Sequence, residues 1–512
     1  MKHSWKAILL TLSFILIPTT AWSESLKEKT EEEVTTVEEN LEPKINELLP
    51  DLSEEEFNYL ATLMKADRLY QRGEKDAAET LYQEAKKSFQ TETIESSRKP
   101  YTEVGNLPPG GQVYWRYGEA EFNPKLETKS LSPLQLLTEK HPNFIPGHLR
   151  YAEALVYFDQ TEKAIEHLES AVSRYPQQLT LVKAIIPLYE KTEQWLDASL
   201  TSRQFALLNA EHSEADEYQK IADQHLENYE SQLRSRLREN AFASIVTGAL
   251  SYALTGNLAG PLSAIESTAL LLQGEAGVGN SISDNLEKRL PLLEDKAVNQ
   301  YLTEIGENLT QYSGRDSFDY EFHIIMDENL NAFALPGGKI FINAGAILET
   351  KSEAELAGLV AHELAHAVLS HGFQLVTEGN LLANISQFVP YGGTAANLIV
   401  LNYSRNMERQ ADELGTRLLA SSEYAADGLY HLMLTLEEKN TDRPTPPAWL
   451  STHPDTTERV SNIKTQIIEN GYNRYTYEGV SDHQQIQNKV AKLLAEYQAE
   501  QEKKESDDNE ED

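Results

Sequence analysis

Cysteine is missing from all 512 residues, which excludes disulfides and any lipid attached through an N-terminal cysteine. Positive charge is scarce: 45 Lys and Arg stand against 81 Asp and Glu, and the net −36 argues against nucleic acid and anionic lipid as partners. Long uninterrupted apolar runs are scarce too. The run from Ala7 to Ile17 is too short to anchor a chain in a bilayer. A second apolar stretch, Ala241 to Gln273, is broken by Gly256, Asn257, Gly260 and Pro261, so no spanning helix is expected in the mature chain.

Residues 1–23 read as a signal peptide. Lys2 and Lys6 precede the apolar run, and Ala21-Trp22-Ser23 supplies small residues for cleavage after Ser23. Export of a cysteine-free chain of this size points to a bacterial periplasm rather than a eukaryotic secretory route. Residues 24–55 form an acidic, disordered linker. The last eleven residues, Glu502 to Asp512, hold seven acidic side chains and are expected as a solvated tail after a C-terminal helix, within 471–512.

Residues 56–235 read as all-helical and repetitive. Ala152, Ala164, Leu168, Ala171 and Pro176 fall where a 34-residue tetratricopeptide repeat places its small and apolar residues, and Ala198 lies 34 residues after Ala164. An earlier unit runs through Ala66, Gly73, Ala78, Tyr82 and Ala85. Its spacing of 86 to Ala164 is not a multiple of 34, and an inserted loop near 98–130, with Pro108-Pro109-Gly110-Gly111, accounts for the break. Stacked helical repeats present a concave surface for extended peptides. This region is therefore expected to recruit substrate or a partner, or else to brace the C-terminal domain. Residues 236–285 form an apolar helical connector. Two short helices there pack on the next domain or lie on a membrane surface, with Arg234, Arg236 and Arg238 facing headgroups in the second case.

The chemistry sits in His362-Glu363-Leu364-Ala365-His366, inside a helix predicted over Glu353–His371 with Gly372 as its C-cap. Residues four apart share a helix face, so both imidazoles reach one ion, and Glu363 reaches the attacking water. Metal, most simply one zinc ion per chain, is the expected cofactor. The longer motif with a third histidine is excluded, because Leu369 and Gly372 stand where Gly and His are needed. Two downstream pairs have the E-x-x-x-D spacing, Glu408 with Asp412 and Glu423 with Asp427. The first lies in a predicted helix and the second at a turn. Glu408 is therefore assigned as the third ligand, against a solvated helix face, and Asp412 as the carboxylate that holds a ligand histidine's other N–H.

The segments Glu355–His366, Ser404–Gly415 and Asn331–Gly338 together resemble the gluzincin metallopeptidase family that contains HtpX, the CAAX prenyl protease and the periplasmic β-barrel assembly-enhancing protease. The resemblance covers roughly residues 286–465. It implies zinc on His362, His366 and Glu408, Glu363 as general base, and endopeptidase activity of a soluble, exported kind. Its implied substrates are unfolded or misassembled envelope proteins. The repeats precede the peptidase here and follow it in the assembly-enhancing protease, so outer-membrane assembly machinery is an expectation drawn from the repeats and not one that the resemblance implies. In that frame Lys339–Asn343 reads as a strand after a tight turn. Ile340, Phe341 and Ile342 then stand on an edge that aligns a substrate backbone, or in a core strand. Thr452-His453-Pro454 resembles a family segment in which His453 approaches the metal, stabilises the oxyanion or caps the resting site.

The expected fold is mainly α: tetratricopeptide-like repeats, then a predominantly helical zincin domain with a small β-sheet over 286–470. The expected function is zinc endopeptidase. The rival is a holdase or assembly scaffold with a latched or vestigial zinc site, against which the presence of Glu363 argues.

Overall fold

The computed structural model describes residues 53–89, 99–251, 271–377, 403–442, 448–453 and 456–511. The expected signal peptide, most of the acidic linker, the Gly- and Pro-interrupted part of the connector, and Pro454 lie outside the described residues. The fold is mainly α, with 19 helices and one three-stranded sheet among the described residues.

The described residues up to Lys87 and those from Ser88 onward form two compact units. In the first, α1 (Glu54–Gln71) and α2 (Lys75–Ala85) are joined by a turn in which Gly73 takes φ 83°. A capping box between Ser53 and Glu56 starts α1. The buried Tyr82 hydroxyl donates to Asp67 at 2.6 Å.

The second unit begins with α3 (Pro109–Gly118), a helix within the segment expected as a loop. The reason is local: Pro109 occupies a first-turn position, where its missing N–H costs nothing. Then come α4 (Glu127–Lys140), α5 (Ile145–Tyr157), α6 (Thr161–Arg174), α7 (Leu179–Lys191) and α8 (Trp195–Leu208). Short turns fold each helix back on the one before it. Two of these turns use a left-handed residue, Asp159 and Glu193, both at φ 57° and 34 positions apart. Ala164, Leu168 and Ala198 are fully buried between the helices. Next, α9 (Ala215–Ser251) runs unbroken past residue 235, so the first part of the expected connector continues the helix before it.

After α10 (Gly274–Glu287) and α11 (Lys296–Thr310) come β1 (Glu321–Ile325), β2 (Ala332–Leu335) and β3 (Lys339–Asn343). The order is β1-β3-β2, with β1 parallel and β2 antiparallel to β3. This corrects the reading of Ile340, Phe341 and Ile342 as an open edge. Both sides of β3 are paired, Phe322 with Ile340 and Ala332 with Ile342, and all three side chains are fully buried. No substrate strand can add to β3 itself, because both of its sides are taken.

From β3 the chain passes through α12 (Ala344–Glu349) into α13 (Glu353–Val368), then α14 (His371–Thr377), α15 (Arg405–Ser421), α16 (Gly428–Asp442), α17 (Ala448–Thr452), α18 (Thr456–Asn470) and α19 (Val480–Glu511). The acidic end expected as a disordered tail is the last part of α19, where Lys504 pairs with Glu500 one turn back at 3.2 Å. No described helix is long and apolar enough to cross a membrane.

Every residue of α13 is buried, so this helix has no solvent face and forms the axis of the core. It ends at Val368, three residues short of the predicted His371. Ser370 turns left-handed at φ 62°, and the Arg315 guanidinium donates to the Val368 carbonyl at 2.9 Å and to Ser370 Oγ at 3.1 Å. Gly372 thus caps nothing and lies inside α14. Close approach to α13 requires glycine at two other places. A Cβ on Gly358 would sit 2.6 Å from the Leu429 amide nitrogen, and one on Gly415 3.2 Å from Ala361. Gly358→Ala is expected to push α13 and α16 apart and destabilise the core by about 1–3 kcal/mol. Thermal unfolding reads this as a lowered Tm, and an unchanged Tm would refute the tight contact.

Candidate metal centre

Three helices and one short segment converge on a single point beside α13. α13 supplies His362, Glu363 and His366, α15 supplies Glu408 and Asp412, and the C-terminal end of α17 leads to His453. Ser404 starts α15 by accepting from the Met407 amide, which sets the helix phase that turns Glu408 and Asp412 inward together. All six side chains are buried.

Ligand-type atoms of His362, His366, Glu408 and His453 lie within 4.8 Å of one another. The two Nε2 atoms of His362 and His366 face each other at 3.1 Å. Glu408 lies 3.5 Å from the first and 3.6 Å from the second. Apart from its ion pair with Arg459, Glu408 is buried with both oxygens accepting no hydrogen bond, and Glu363 Oε2 accepts none either. Buried carboxylate oxygens are costly in that condition. Two imidazole nitrogens and a carboxylate so arranged fit a divalent cation, with Glu363 adjacent.

Around this set lies a second layer of contacts. Asp412 Oδ1 is 3.1 Å from His362 Nδ1, the arrangement expected of a carboxylate that orients a ligand histidine. The Arg459 guanidinium grips Asp412 with two hydrogen bonds, 2.8 and 2.7 Å, and reaches Glu408 at 2.8 Å. Burial disfavours its charge, but Asp412 and Glu408 outweigh that and hold it above the ordinary arginine value. The same pairing holds Asp412 below its ordinary value despite burial. Burial also works against a His362 cation, yet the nearby Asp412 and Glu408 carboxylates lift that group to about 9. His366 is driven well down, first by burial and then by the charge of His362.

Glu363 accepts from the indole Nε1–H of the fully buried Trp449 at 2.8 Å, and burial pushes its carboxyl up to about 7. His453 stacks on Trp449, with centroids 4.3 Å apart and planes 8° apart, and its Nε2 is 3.5 Å from Glu363. The Tyr403 ring stacks on His366 at 3.7 Å.

The structure therefore gathers His362, Glu363, His366, Glu408, Asp412 and His453, while Ile340, Phe341 and Ile342 are buried core residues, Phe341 in one apolar cluster with Tyr403 and Met407. The other E-x-x-x-D pair is elsewhere: Glu423 is a turn residue at φ 66°, and the buried Asp427 accepts from Arg474 at 2.9 Å. Trp449, Tyr403 and the role of Arg459 were missed. For Trp449 a signal existed, since it lies four residues before His453, one helical turn, and its carbonyl accepts from the His453 amide at 2.9 Å. Tyr403 and Arg459 carry no spacing signal toward the motif.

Residues 296–467 match the family model described as peptidase family M48. The chain is similar to the putative beta-barrel assembly-enhancing protease of Vibrio cholerae, at 28% identity over 221 residues, covering 39% of this chain and 45% of that protein. It is similar to the mitochondrial metalloendopeptidase OMA1 of Schizosaccharomyces pombe at 28% over 190 residues, covering 34% and 55%. To the beta-barrel assembly-enhancing protease of Escherichia coli the identity is 20% over 274 residues, covering 48% and 56%. The chain thus spans about half the length of the curated relatives it matches.

Asp412→Ala removes both the partner of His362 and one of the two carboxylates that neutralise buried Arg459. The expected result is a loss of about 3 kcal/mol in the metal-free protein, measured by thermal unfolding. Zinc affinity should fall about 10–100-fold in chelator competition. Parental values in both measurements would dismiss the orienting role.

Proposed function

Residues 296–467 are a peptidase family M48 domain, and from that premise we propose that the chain is an exported zinc-dependent endopeptidase acting on misfolded or misassembled envelope proteins. The observation that carries the reading is the convergence of His362, His366 and Glu408 with Glu363 beside them, in a buried site whose carboxylates are short of hydrogen-bond donors. The names of the relatives, proteases that enhance β-barrel assembly and mitochondrial metalloendopeptidases, support peptide-bond hydrolysis and an envelope substrate. The basic and apolar start at residues 1–23 supports export to a periplasm.

His362, His366 and Glu408 would hold the zinc, which would supply Lewis acidity for the attacking water and the scissile carbonyl. Asp412 and the Arg459 clamp hold His362 with its Nε2 toward that point. The Trp449 indole fixes Glu363 Oε1 and leaves Oε2 to accept the proton of the water. Glu363 would take that proton and return it to the leaving amine. His453, in the same cluster, serves as a donor to the developing oxyanion or as a reversible cap of the resting site. The paired helices over 127–208, with left-handed turns 34 residues apart, support a tetratricopeptide-like arm that recruits substrate or an outer-membrane assembly partner.

The test compares the purified full-length chain with Glu363→Gln for bound metal and for cleavage of an unfolded protein. One zinc per chain is expected in both. Cleavage should fall about 10²–10⁴-fold in the variant. Equal cleavage by the two forms would overturn the role of Glu363. Zinc without cleavage by the parent would favour a latched enzyme or a scaffold.

A further inference from the structure

The Nδ1 of His362 is held by Asp412, on α15 within the M48 span. The Nδ1 of His366 has a different support, and it leads out of that span. His366 Nδ1 is 3.0 Å from His371 Nδ1, and His371 Nε2 is 3.0 Å from Gln410 Oε1. Gln410 Nε2 donates to Gln204 Oε1 at 3.1 Å, and Gln204 Nε2 donates to the Leu369 carbonyl at 3.1 Å. Gln204 lies on α8, in the repeat region, 92 residues before the matched span begins.

The direction of every bond in this series is dictated by its last member. A backbone carbonyl only accepts, so the nitrogen of Gln204 must face Leu369 and its oxygen must face Gln410. That oxygen orients the Gln410 nitrogen, which leaves the Gln410 oxygen toward His371. His371 must then carry its proton on Nε2 and present a lone pair at Nδ1. The proton between the two Nδ1 atoms therefore belongs to His366, whose remaining lone pair is on Nε2. That is the nitrogen facing His362 and Glu408. All four side chains are buried, Gln204 and Gln410 at 9% and 7% exposure and both histidines at 0%, so none exchanges its partner for bulk water.

We propose that Gln204 is a positioning residue for the metal ligand His366: acting through Gln410 and His371, it fixes the tautomer that points the His366 lone pair at the metal. The inference rests on the reading of His366 as a ligand. It makes the helices before the matched span contributors to the centre, beside any part they take in recruiting substrate. Neighbouring contacts hold α8 and α6 in place for this task. Gln374 on α14 donates to Asp197 at 3.4 Å, Ser173 donates to the Asn406 carbonyl at 3.1 Å, and Arg417 donates to the carbonyls of Leu207 and Leu208 at 2.7 and 2.9 Å.

The test is zinc affinity, by chelator competition on full-length protein, in the parent, Gln204→Met, Gln410→Glu and the double variant. Methionine fills the space of Gln204 but leaves Gln410 free to turn over. Zinc binding is expected to weaken on the order of tenfold. In the Gln410→Glu background the carboxylate accepts from His371 Nε2–H without help, so adding Gln204→Met should change nothing. Parental affinity in Gln204→Met overturns the proposal. Equal losses in both backgrounds overturn it as well, since they mark a packing effect. Should Gln204→Met not fold, Gln410→Met removes the same acceptor, with the same loss expected and the same refutation by parental affinity. A parent that binds no zinc refutes the metal site itself, a result distinct from either.

Discussion

The constraint on which the rest depends is the complete burial of α13. A helix with solvent on one side hands its polar groups to water, but one enclosed on all sides must find a protein partner or an ion for each. His362, Glu363 and His366 lie on such a helix. Their surroundings answer that demand: Asp412 for one imidazole, His371 for the other, Trp449 for the carboxylate. The glycines at 358 and 415 belong to the same requirement, because they let neighbouring elements come near enough to close the shell.

Much of the centre was legible in the sequence because it is written in helical spacing. His362 with His366, and Glu408 with Asp412, are both i, i+4 pairs, and a helix face is a local property that needs no tertiary knowledge. The helix boundaries were less so. The predicted run to His371 followed apolar periodicity, while the actual end is set by Arg315, whose guanidinium takes the Val368 carbonyl from more than fifty positions earlier. The place of β3 was illegible for a related reason. Strand order depends on which segments meet, and a short apolar run reads the same at an edge as in the middle. The 98–130 segment misled in the opposite direction, since Pro and Gly announced a loop where Pro109 in fact opens a helix.

The second layer of the centre was the least visible. Arg459, Trp449 and Gln204 reach it from α18, α17 and α8, and none is related to the His-Glu motif by any period. Such groups are chosen by what they complete rather than by where they stand. The contacts of α8 with α14 and α15 also change how the two halves of the chain are understood. Leu196 and Leu200 share an apolar cluster with Phe373 and Met407, and Leu207 and Leu208 share one with α13. Helix α8 is thus part of the wall of the centre.

The Arg459 clamp has an electrical consequence. A divalent ion and this guanidinium together carry as many positive charges as the three buried carboxylates of Glu363, Glu408 and Asp412 carry negative ones. The loaded centre is then electroneutral when Glu363 is ionised, although the chain as a whole is strongly acidic. A neutral interior neither attracts nor repels a substrate by net charge, and it draws no counter-ion from solvent when a neutral backbone carbonyl enters. Selection at such a centre falls to the shape and extension of the segment that enters it rather than to its charge.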